Sequence, residues 1–403
     1  MSKKPIKNFS RTVLILTFLI ALALVIGFFI CGYLEVKKAG DFVNPLKNEQ
    51  EIKPTEPTEP TEPTEMETYK GELFVEAKWG NREGEVGLLT MPADPGMPDE
   101  EYDETAEGIS YGPQSFDVDD RTGHLYLLDS INERVNEYDE NGQYLKDFPI
   151  ACGGTGDIRV SPDGKYLYVF SWRCEAIYKH KISGEFLETY PILPNEKKRP
   201  NFCRESMAFD ENGNVMLELE IESYKKGCRF YQIGKTGEEW KENNYKGFIS
   251  KDGEEFYKLY HRDKKSRFVK IMNKDGELQK KFVVEFSQEL LSKSSNKGYV
   301  YYKGCDKENI YLNVAFEHGS TNEGFYFDEF IWKYNRNGNL LSQIDILEPL
   351  RKMYNVTDNK FIPEYFYISA PLVEARVDTG GNFYYVTTFK NEGLKILKYS
   401  KIK

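Results

Sequence analysis

Glycine-marked turns recur along most of this chain at a nearly constant spacing. The first turn of each unit contains Gly123, Gly164, Gly213 or Gly253, and the steps between these glycines are 41, 49 and 40 residues. The second turn contains Gly142, Gly184, Gly237 or Gly276, with steps of 42, 53 and 39 residues. Hairpin turns often require a positive backbone φ, which glycine adopts without steric cost. Two landmarks that keep one period therefore predict a repeated hairpin unit of about 40–50 residues.

The unit is clearest between Gly112 and Ile150. Its segments SFDVD, HLYLLD, RVNEYD and QYLKDFPI alternate apolar with polar residues and are separated by short turns. Four short strands joined by tight turns are typical of one blade of a β-propeller. Similar units begin at Asp157, Ser206 and Gly247. A looser fifth unit begins at Gly298 and contains an insertion, and a predicted helical segment, ILEPLRKMY, precedes the last unit.

The last unit is one strand short. It contains three predicted strands before the chain ends, whereas Glu72–Trp79 is a β-rich segment without a unit of its own. An open ring would leave strand edges unpaired. The sequence therefore predicts an all-β fold, a six-bladed β-propeller of four-stranded blades over residues 71–403, whose last blade is closed by the N-terminal strand.

The first blade resembles the NHL repeat, and the segment KWGNREGEVGLL before it resembles the lead-in to NHL domains. The residues that carry the resemblance are Phe116, Val118, Asp119, Gly123, Tyr126, Asp129, Asn132, Arg134, Val135, Tyr138 and Gly142. The later blades keep the turns and lose most of the D-x-x-N-x-R-V element. The resemblance implies a binding or scaffold module. A few related six-bladed propellers are enzymes, such as gluconolactonases and the peptide-amidating lyase, which use metal ligands in the central channel.

An uncharged run of 22 residues, Val13–Leu34, is long enough to cross the hydrocarbon core of a bilayer. Basic residues precede it, namely Lys3, Lys4, Lys7 and Arg11. Positive charge stays on the cytoplasmic side, so residues 1–12 are predicted to form a cytoplasmic tail and the propeller to lie outside the cell. A bacterial lipoprotein signal at Cys31 and a cleaved signal peptide are the alternatives. The small residue that usually precedes a lipoprotein cysteine is replaced by Ile30, and no A-x-A cleavage site follows the apolar run.

Residues 35–70 are predicted to form a disordered stalk. They contain four Pro-Thr-Glu repeats between Pro54 and Glu65. Proline at every third position favours an extended polyproline II chain, and the glutamates repel one another. Such a stalk would hold the propeller away from the membrane.

The composition disfavours several kinds of partner. The net charge is −11, which disfavours nucleic acid because its phosphates would be repelled. The histidines His124, His180, His261 and His318 are far apart in sequence, so no HExxH-like zinc motif exists and no metal or cofactor is predicted. The predicted partners are therefore the membrane, through residues 13–34, and an extracellular protein or small molecule.

Candidate ligand-binding residues lie in the loops that surround one mouth of a propeller channel. They are Asp129, Asn132 and Arg134 of blade one, Trp172 and Arg173 of blade two, and Arg204 and Arg229 of blade three. The alternative interpretation is structural, because the Asp and Asn of an NHL blade often bind the turn backbone and Arg can bridge blades.

Four cysteines occupy matching positions in blades two and three. Cys152 and Cys174 are 22 residues apart, and Cys203 and Cys228 are 25 apart. Both loop types involved lie on one face, so disulfides Cys152–Cys174 and Cys203–Cys228 are predicted, with Cys305 unpaired in a first-turn loop of the opposite face. Buried free thiols and a shared four-thiolate metal site are the alternatives.

These observations favour a non-enzymatic cell-surface binding or scaffold protein. The alternative is a metal-dependent hydrolase of the gluconolactonase type, although no residue-by-residue match to its ligands is found. A sensor role is a third hypothesis, but 12 cytoplasmic residues cannot form a signalling domain. Several acidic or Asn side chains converging on the channel axis would favour the enzyme, whereas an uncharged or Arg-lined mouth would favour binding.

Overall fold

The computed structural model describes residues 66–90, 110–153, 156–171, 173–192, 201–220, 229–233, 241–242, 247–263, 265–294, 298–320, 324–357, 375–389 and 391–402. The chain divides into two units, residues 1–63 and Thr64–Lys403. The predicted tail, anchor and most of the predicted stalk lie outside the described residues. Within the described ranges, no helix has both the length and the apolar character needed to cross a membrane.

The second unit is built from six four-stranded antiparallel sheets. Strand β1 (Tyr69–Ala77) is followed by a small two-stranded sheet, β2 (Leu89–Thr90) and β3 (Ser110–Tyr111). Blade one contains β4 (Ser115–Val118), β5 (Leu125–Asp129), β6 (Arg134–Tyr138) and β7 (Tyr144–Pro149). Blade two contains β8 (Gly156–Val160), β9 (Tyr166–Ser171), β10 (Ala176–Lys181) and β11 (Phe186–Pro191).

The next two blades follow the same order. Blade three contains β12 (Asn201–Phe209), β13 (Val215–Glu220), β14 (Arg229–Gln232) and β15 (Lys241–Glu242). Blade four contains β16 (Phe248–Ile249), β17 (Glu255–Asp263), β18 (Ser266–Asn273) and β19 (Leu278–Glu285). A short helix that the sequence analysis did not predict, α1 (Gln288–Lys293), leads to blade five and is capped by the Ser287 hydroxyl.

Blade five contains β20 (Gly298–Cys305), β21 (Asn309–Ser320), β22 (Gly324–Asn335) and β23 (Leu340–Asp345). The predicted insertion lengthens its central hairpin, since β21 and β22 pair from Asn309↔Asn335 to Ser320↔Gly324. The predicted helical segment forms α2 (Glu348–Tyr354). Blade six contains β24 (Ala375–Val377), β25 (Phe383–Phe389) and β26 (Gly393–Lys401), and β1 completes it.

Strand β1 closes the ring as the sequence predicts. It pairs with β26 in a register that runs from Tyr69↔Lys401 to Ala77↔Leu394. First strands of neighbouring blades also contact one another, including β24 with β4, β4 with β8, β8 with β12, and β12 with β16. The sheets therefore surround a central axis, and the all-β six-bladed propeller is confirmed.

The hydrophobic core lies between blades. Each of six apolar clusters joins two consecutive blades, and the cluster between blades six and one contains Val75 and Ala77 of β1 together with Phe116 of β4 and Ile396 of β26. Strand β1 thus supplies both backbone pairing and buried side chains to ring closure.

Candidate functional site

Three of the predicted site residues form one cluster around a buried carboxylate at the end of β5. Asp129 is fully buried and accepts hydrogen bonds from the Asn132 amide (2.8 Å) and from Arg134 Nε (3.2 Å). Its other oxygen accepts from the backbone N–H of Gly87 (3.0 Å). Burial raises the pKa of the Asp129 carboxyl, and the hydrogen bond from Gly87 opposes that rise.

This cluster holds the segment that leads into blade one. Arg134 donates to the carbonyls of Arg82 and Glu85, both at 2.7 Å, and its Nη1 donates to Asp147 at 2.9 Å. The Asn132 amide donates to the Gly80 carbonyl at 2.8 Å. The Nε, Nη1 and Nη2 atoms of Arg134 thereby all donate to protein acceptors.

The remaining predicted residues are dispersed. Arg173 has a side chain that is 72% exposed, and its Nη1 lies 3.6 Å from Glu133. Arg229 begins β14 as Arg134 begins β6, so the two occupy equivalent positions. Trp172 lies outside the described residues, and the side chains of Arg204 and Arg229 are not described.

A charged cluster in the central channel was missed by the sequence analysis. The channel contains a cavity of about 60 Å³. Its wall includes residues from the first strand of every blade: Asp117, Arg159, Val160, Met207, Ala208, Phe209, Phe248, Ile249, Tyr302, Lys303, Gly304, Cys305, Arg376 and Val377. Three charged members of the wall, Asp117, Arg159 and Arg376, each stand next to the last residue of their strand. The residues at the same position of β12 and β16, Ala208 and Phe248, are uncharged.

Arg376 joins blade six to blades one and two. It is 7% exposed, and it donates to the Phe116 carbonyl (3.0 Å) and to Asp157 (3.1 Å). Its Nε also lies 3.7 Å from Asp117 Oδ1. Burial alone would raise the pKa of the Asp117 carboxyl, but surrounding cations, Lys251 foremost, hold it below its usual value.

Arg159 extends the cluster to blade three. Its Nε donates to the Met207 carbonyl at 3.0 Å, and its Nη1 lies 3.9 Å from Asp117. Its Nε also lies 3.8 Å from Asp157. Two carboxylates and two guanidinium groups therefore balance one another inside the channel.

Lys251 crosses the channel at the first-turn end. It lies in the first turn of blade four, yet its ammonium donates to the Val118 carbonyl of blade one at 3.2 Å and lies 2.8 Å from Asp120. Blades one and four are opposite each other in a ring of six. The same Asp120 accepts from the backbone N–H of Thr379 in blade six. These contacts tie three blades together across the mouth.

The channel cluster does not suit a divalent cation. Asp117 and Asp157 already accept hydrogen bonds from backbone N–H groups and face two guanidinium groups, whose charge opposes a metal ion. Among the residues that the structure describes, no group of three His, Cys, Asp or Glu side chains is arranged to hold a metal. The arrangement can neutralise charge and fix the inner strands.

The cysteines divide between a disulfide and a buried thiol. Cys152 and Cys174 are joined by a disulfide with a Cα–Cα distance of 6.4 Å. Cys228 lies outside the described residues and the side chain of Cys203 is not described, so their pairing stays a prediction. Cys305 is a free, buried cysteine, and it is the last residue of β20 on the channel wall rather than part of the turn.

Comparison with known proteins gives likeness of fold only. No protein-family model matches the sequence, and no curated protein matches it, so the NHL resemblance stays a prediction. Three solved structures illustrate the likeness. A member of the DUF4221 family from Bacteroides vulgatus is 12% identical with a TM-score of 0.45, covering 84% of this chain and 98% of that one.

The other two are enzymes by name. A streptogramin B lyase is 10% identical with a TM-score of 0.37, covering 83% of this chain and 98% of that one. A luciferin-regenerating enzyme is 13% identical with a TM-score of 0.38, covering 72% and 91%. Likeness at this level carries no inference about activity. The strand order of this chain itself establishes that it is a six-bladed β-propeller.

Proposed function

We propose that this protein is a cell-surface binding or scaffold protein that presents an NHL-like propeller outside the membrane. Residues 13–34 anchor it, with residues 1–12 in the cytoplasm, and the residues between the anchor and the blades form the stalk. The basic residues before the apolar run and the Pro-Thr-Glu repeats after it support this topology.

The observation that carries the binding role is the pairing of charges in the channel. Asp117 and Asp157 are neutralised by Arg159 and Arg376, and Lys251 spans the mouth. Groups fixed in this way stabilise a rigid ring and are poorly placed to activate a water molecule. A rigid ring with variable surface loops is the form that many binding modules take.

The alternative is a metal-dependent hydrolase of the gluconolactonase type. It requires acidic or amide side chains that converge on the channel axis with free oxygens. The observed carboxylates are instead engaged by guanidinium groups, which favours the binding role. Addition of Ca²⁺ or Zn²⁺ to the purified protein should therefore produce no hydrolysis of glucono-1,5-lactone above the uncatalysed rate.

Protease treatment of intact cells tests the proposed topology. The expected result is release of the whole propeller by cleavage in the stalk, while a cytoplasmic marker protein stays intact. Lysed cells serve as the control, in which both proteins become accessible. Protection of the propeller until lysis would show that the inside-outside assignment is wrong.

A further inference from the structure

A cleft between blades two and three offers a second site, separate from the channel. Its volume is about 560 Å³, within the range usual for small-molecule sites. One wall is formed by strands of blade two and contains Tyr166, Tyr168, Lys179 and Tyr190. The other wall is formed by residues 211–215 of the blade-three first turn and by Gln232 of β14. The rest of this blade interface is filled by apolar side chains.

Lys179 brings a positive charge into the cleft. Its ammonium lies 4.0 Å from the ring centroid of Tyr166 and 5.6 Å from that of Tyr168. Among the described residues, no carboxylate lies within ion-pair distance of this ammonium. Two ring faces hold the cation by their quadrupoles without cancelling its charge. The two tyrosines therefore position an ammonium that can still attract an anion.

The acidic side chains of the cleft are neutralised elsewhere. Asp163 lies 3.1 Å from the Lys165 ammonium and accepts from the Ser161 hydroxyl at 2.7 Å. Glu211 lies 3.8 Å from the Lys274 ammonium. Glu188 stands opposite Lys179 in the β10–β11 register and accepts from the Tyr190 hydroxyl. Among the charged residues that line the cleft, Lys179 is therefore the one whose ammonium has no ion-pair partner within the described residues.

The remaining wall combines aromatic rings with hydrogen-bonding groups. The Tyr190 hydroxyl donates to Glu188 at 3.0 Å, which fixes its ring in the wall of the cleft. The amide side chains of Asn212 and Gln232 line the opposite side. Tyr168 and Tyr190 are nearly buried and Tyr166 is half-buried, so the rings give the wall a small apolar surface beside these amides. Such a wall suits a compact ligand that has apolar ring faces and hydroxyl groups at its edges.

We propose that this cleft binds an anionic sugar, with the carboxylate or phosphate group of the sugar on Lys179. The sugar ring lies along the tyrosine wall, and its hydroxyls bond to Asn212 and Gln232. This inference rests on the proposal that the propeller is a binding module, and it names the class of ligand that the module would bind. A uronate and a sugar phosphate share this chemistry, and the probes below separate them.

The test is a binding titration on the purified full-length protein in detergent. The probes are digalacturonate, glucose 1-phosphate and uncharged maltose, followed by calorimetry and by ligand-observed NMR. We expect at least one anionic probe to bind in the millimolar range or tighter, with maltose about tenfold weaker or undetectable. Binding of the anionic probe should weaken as salt is added, since the contact is between charges.

Variants assign the binding to the cleft. Lys179→Gln should lower the affinity for the anionic probe by about tenfold, because a charged hydrogen bond is lost. Lys179→Arg should retain most of the affinity. Lys181→Gln is the matched control, because Lys181 is on the same strand, is half exposed and pairs with Glu185. Its affinity should equal that of the unmodified protein. Thermal unfolding of each variant verifies that the fold is kept.

Each contrary outcome overturns the proposal. These outcomes are equal binding of maltose and the anionic probes, equal losses in the Lys179 and Lys181 variants, and absence of binding by all three probes. The protease experiment on intact cells separates this failure from failure of the proposed function. If the protease releases the propeller from the cell surface but the protein binds no anionic sugar, the proposed sugar site in the cleft is refuted and the proposed cell-surface function is not.

Discussion

At the residue scale, the charged side chains of this propeller stabilise contacts between blades. Asp129 and Arg134 belong to the element that suggested the NHL resemblance, and they fasten the lead-in segment of residues 80–87. The sequence could indicate that these residues matter but not which backbone groups they meet. The sequence did contain a signal for the channel residues Arg159 and Arg376. Each is a charged residue next to the last position of the first strand of its blade. Their partner Asp157 could not be found in this way, since its contact with them depends on the packing of separate blades.

The Asp129 carboxylate should be important for stability. Asp129→Ala removes a fully buried acceptor and leaves Arg134, 12% exposed at its side chain, with Asp147 as its remaining carboxylate partner. We expect the free energy of unfolding to fall by about 3 kcal/mol, as when one partner of a buried ion pair is lost. Urea unfolding measures this. Arg173→Ala, at an exposed side chain, should change it by less than about 0.5 kcal/mol.

His180 should make stability depend on pH. The ring is 1% exposed between Phe148 and Phe186, and burial lowers its pKa below the usual value. The unfolded chain then binds a proton that the folded chain does not, so stability falls as the pH decreases through about 6.5. His180→Phe should flatten this part of the stability profile between about pH 7 and 5. An unchanged slope in the variant would contradict the assignment.

At the element scale, turn chemistry was the most informative part of the sequence. Gly123, Gly164, Gly213 and Gly253 all have positive φ, as hairpin turns with these glycines require. The lengthened β21–β22 hairpin was not predicted, because the residues between Glu317 and Phe330 were interpreted as an insertion, whereas they continue both strands as far as the pair Ser320↔Gly324. Helix α1 was missed for a similar reason, since six residues give little periodicity.

Two turn glycines should respond differently to alanine. Gly142 and Gly276 have φ of 78° and 86°, so alanine at either costs about 1–2 kcal/mol of backbone strain. A Cβ at Gly142 would also overlap the carbonyl oxygen of Phe74 in β1, whereas one at Gly276 would meet no described atom within 4 Å. Gly142→Ala should therefore lower the melting temperature more than Gly276→Ala. Equal effects would mean that β1 does not pack against this turn.

The disulfide of blade two should contribute to stability. It joins Cys152, before β8, to Cys174, between β9 and β10. On the chain-entropy model, closing a loop of this size stabilises by about 3 kcal/mol. The double variant Cys152→Ser with Cys174→Ser should lose stability by that order in urea unfolding. Mass spectrometry that finds both thiols free in exported protein would exclude the bond, and the same measurement tests Cys203 with Cys228.

At the scale of the whole molecule, the ring is closed by strands from opposite ends of the domain. The sequence predicted this because the last unit lacked a strand and Glu72–Trp79 lacked a blade. It could not predict that polar side chains would also cross the ring, as Lys251 does from blade four to blade one. The ring is therefore closed by backbone pairing of β1 with β26 and crossed by the side chain of Lys251.

Hydrogen exchange after removal of β1 tests this closure most directly. Deletion of residues 71–79 removes most of β1, the strand that pairs with β26. In the intact protein, Glu72 of β1 pairs with Lys398 of β26, and Ala77 pairs with Leu394. We expect exchange of the backbone amides of Leu394–Tyr399 to become much faster, while exchange in β18 (Ser266–Asn273) of the opposite blade changes far less. Exchange in Leu394–Tyr399 that is unchanged by the deletion would contradict closure of the propeller by its N-terminal strand.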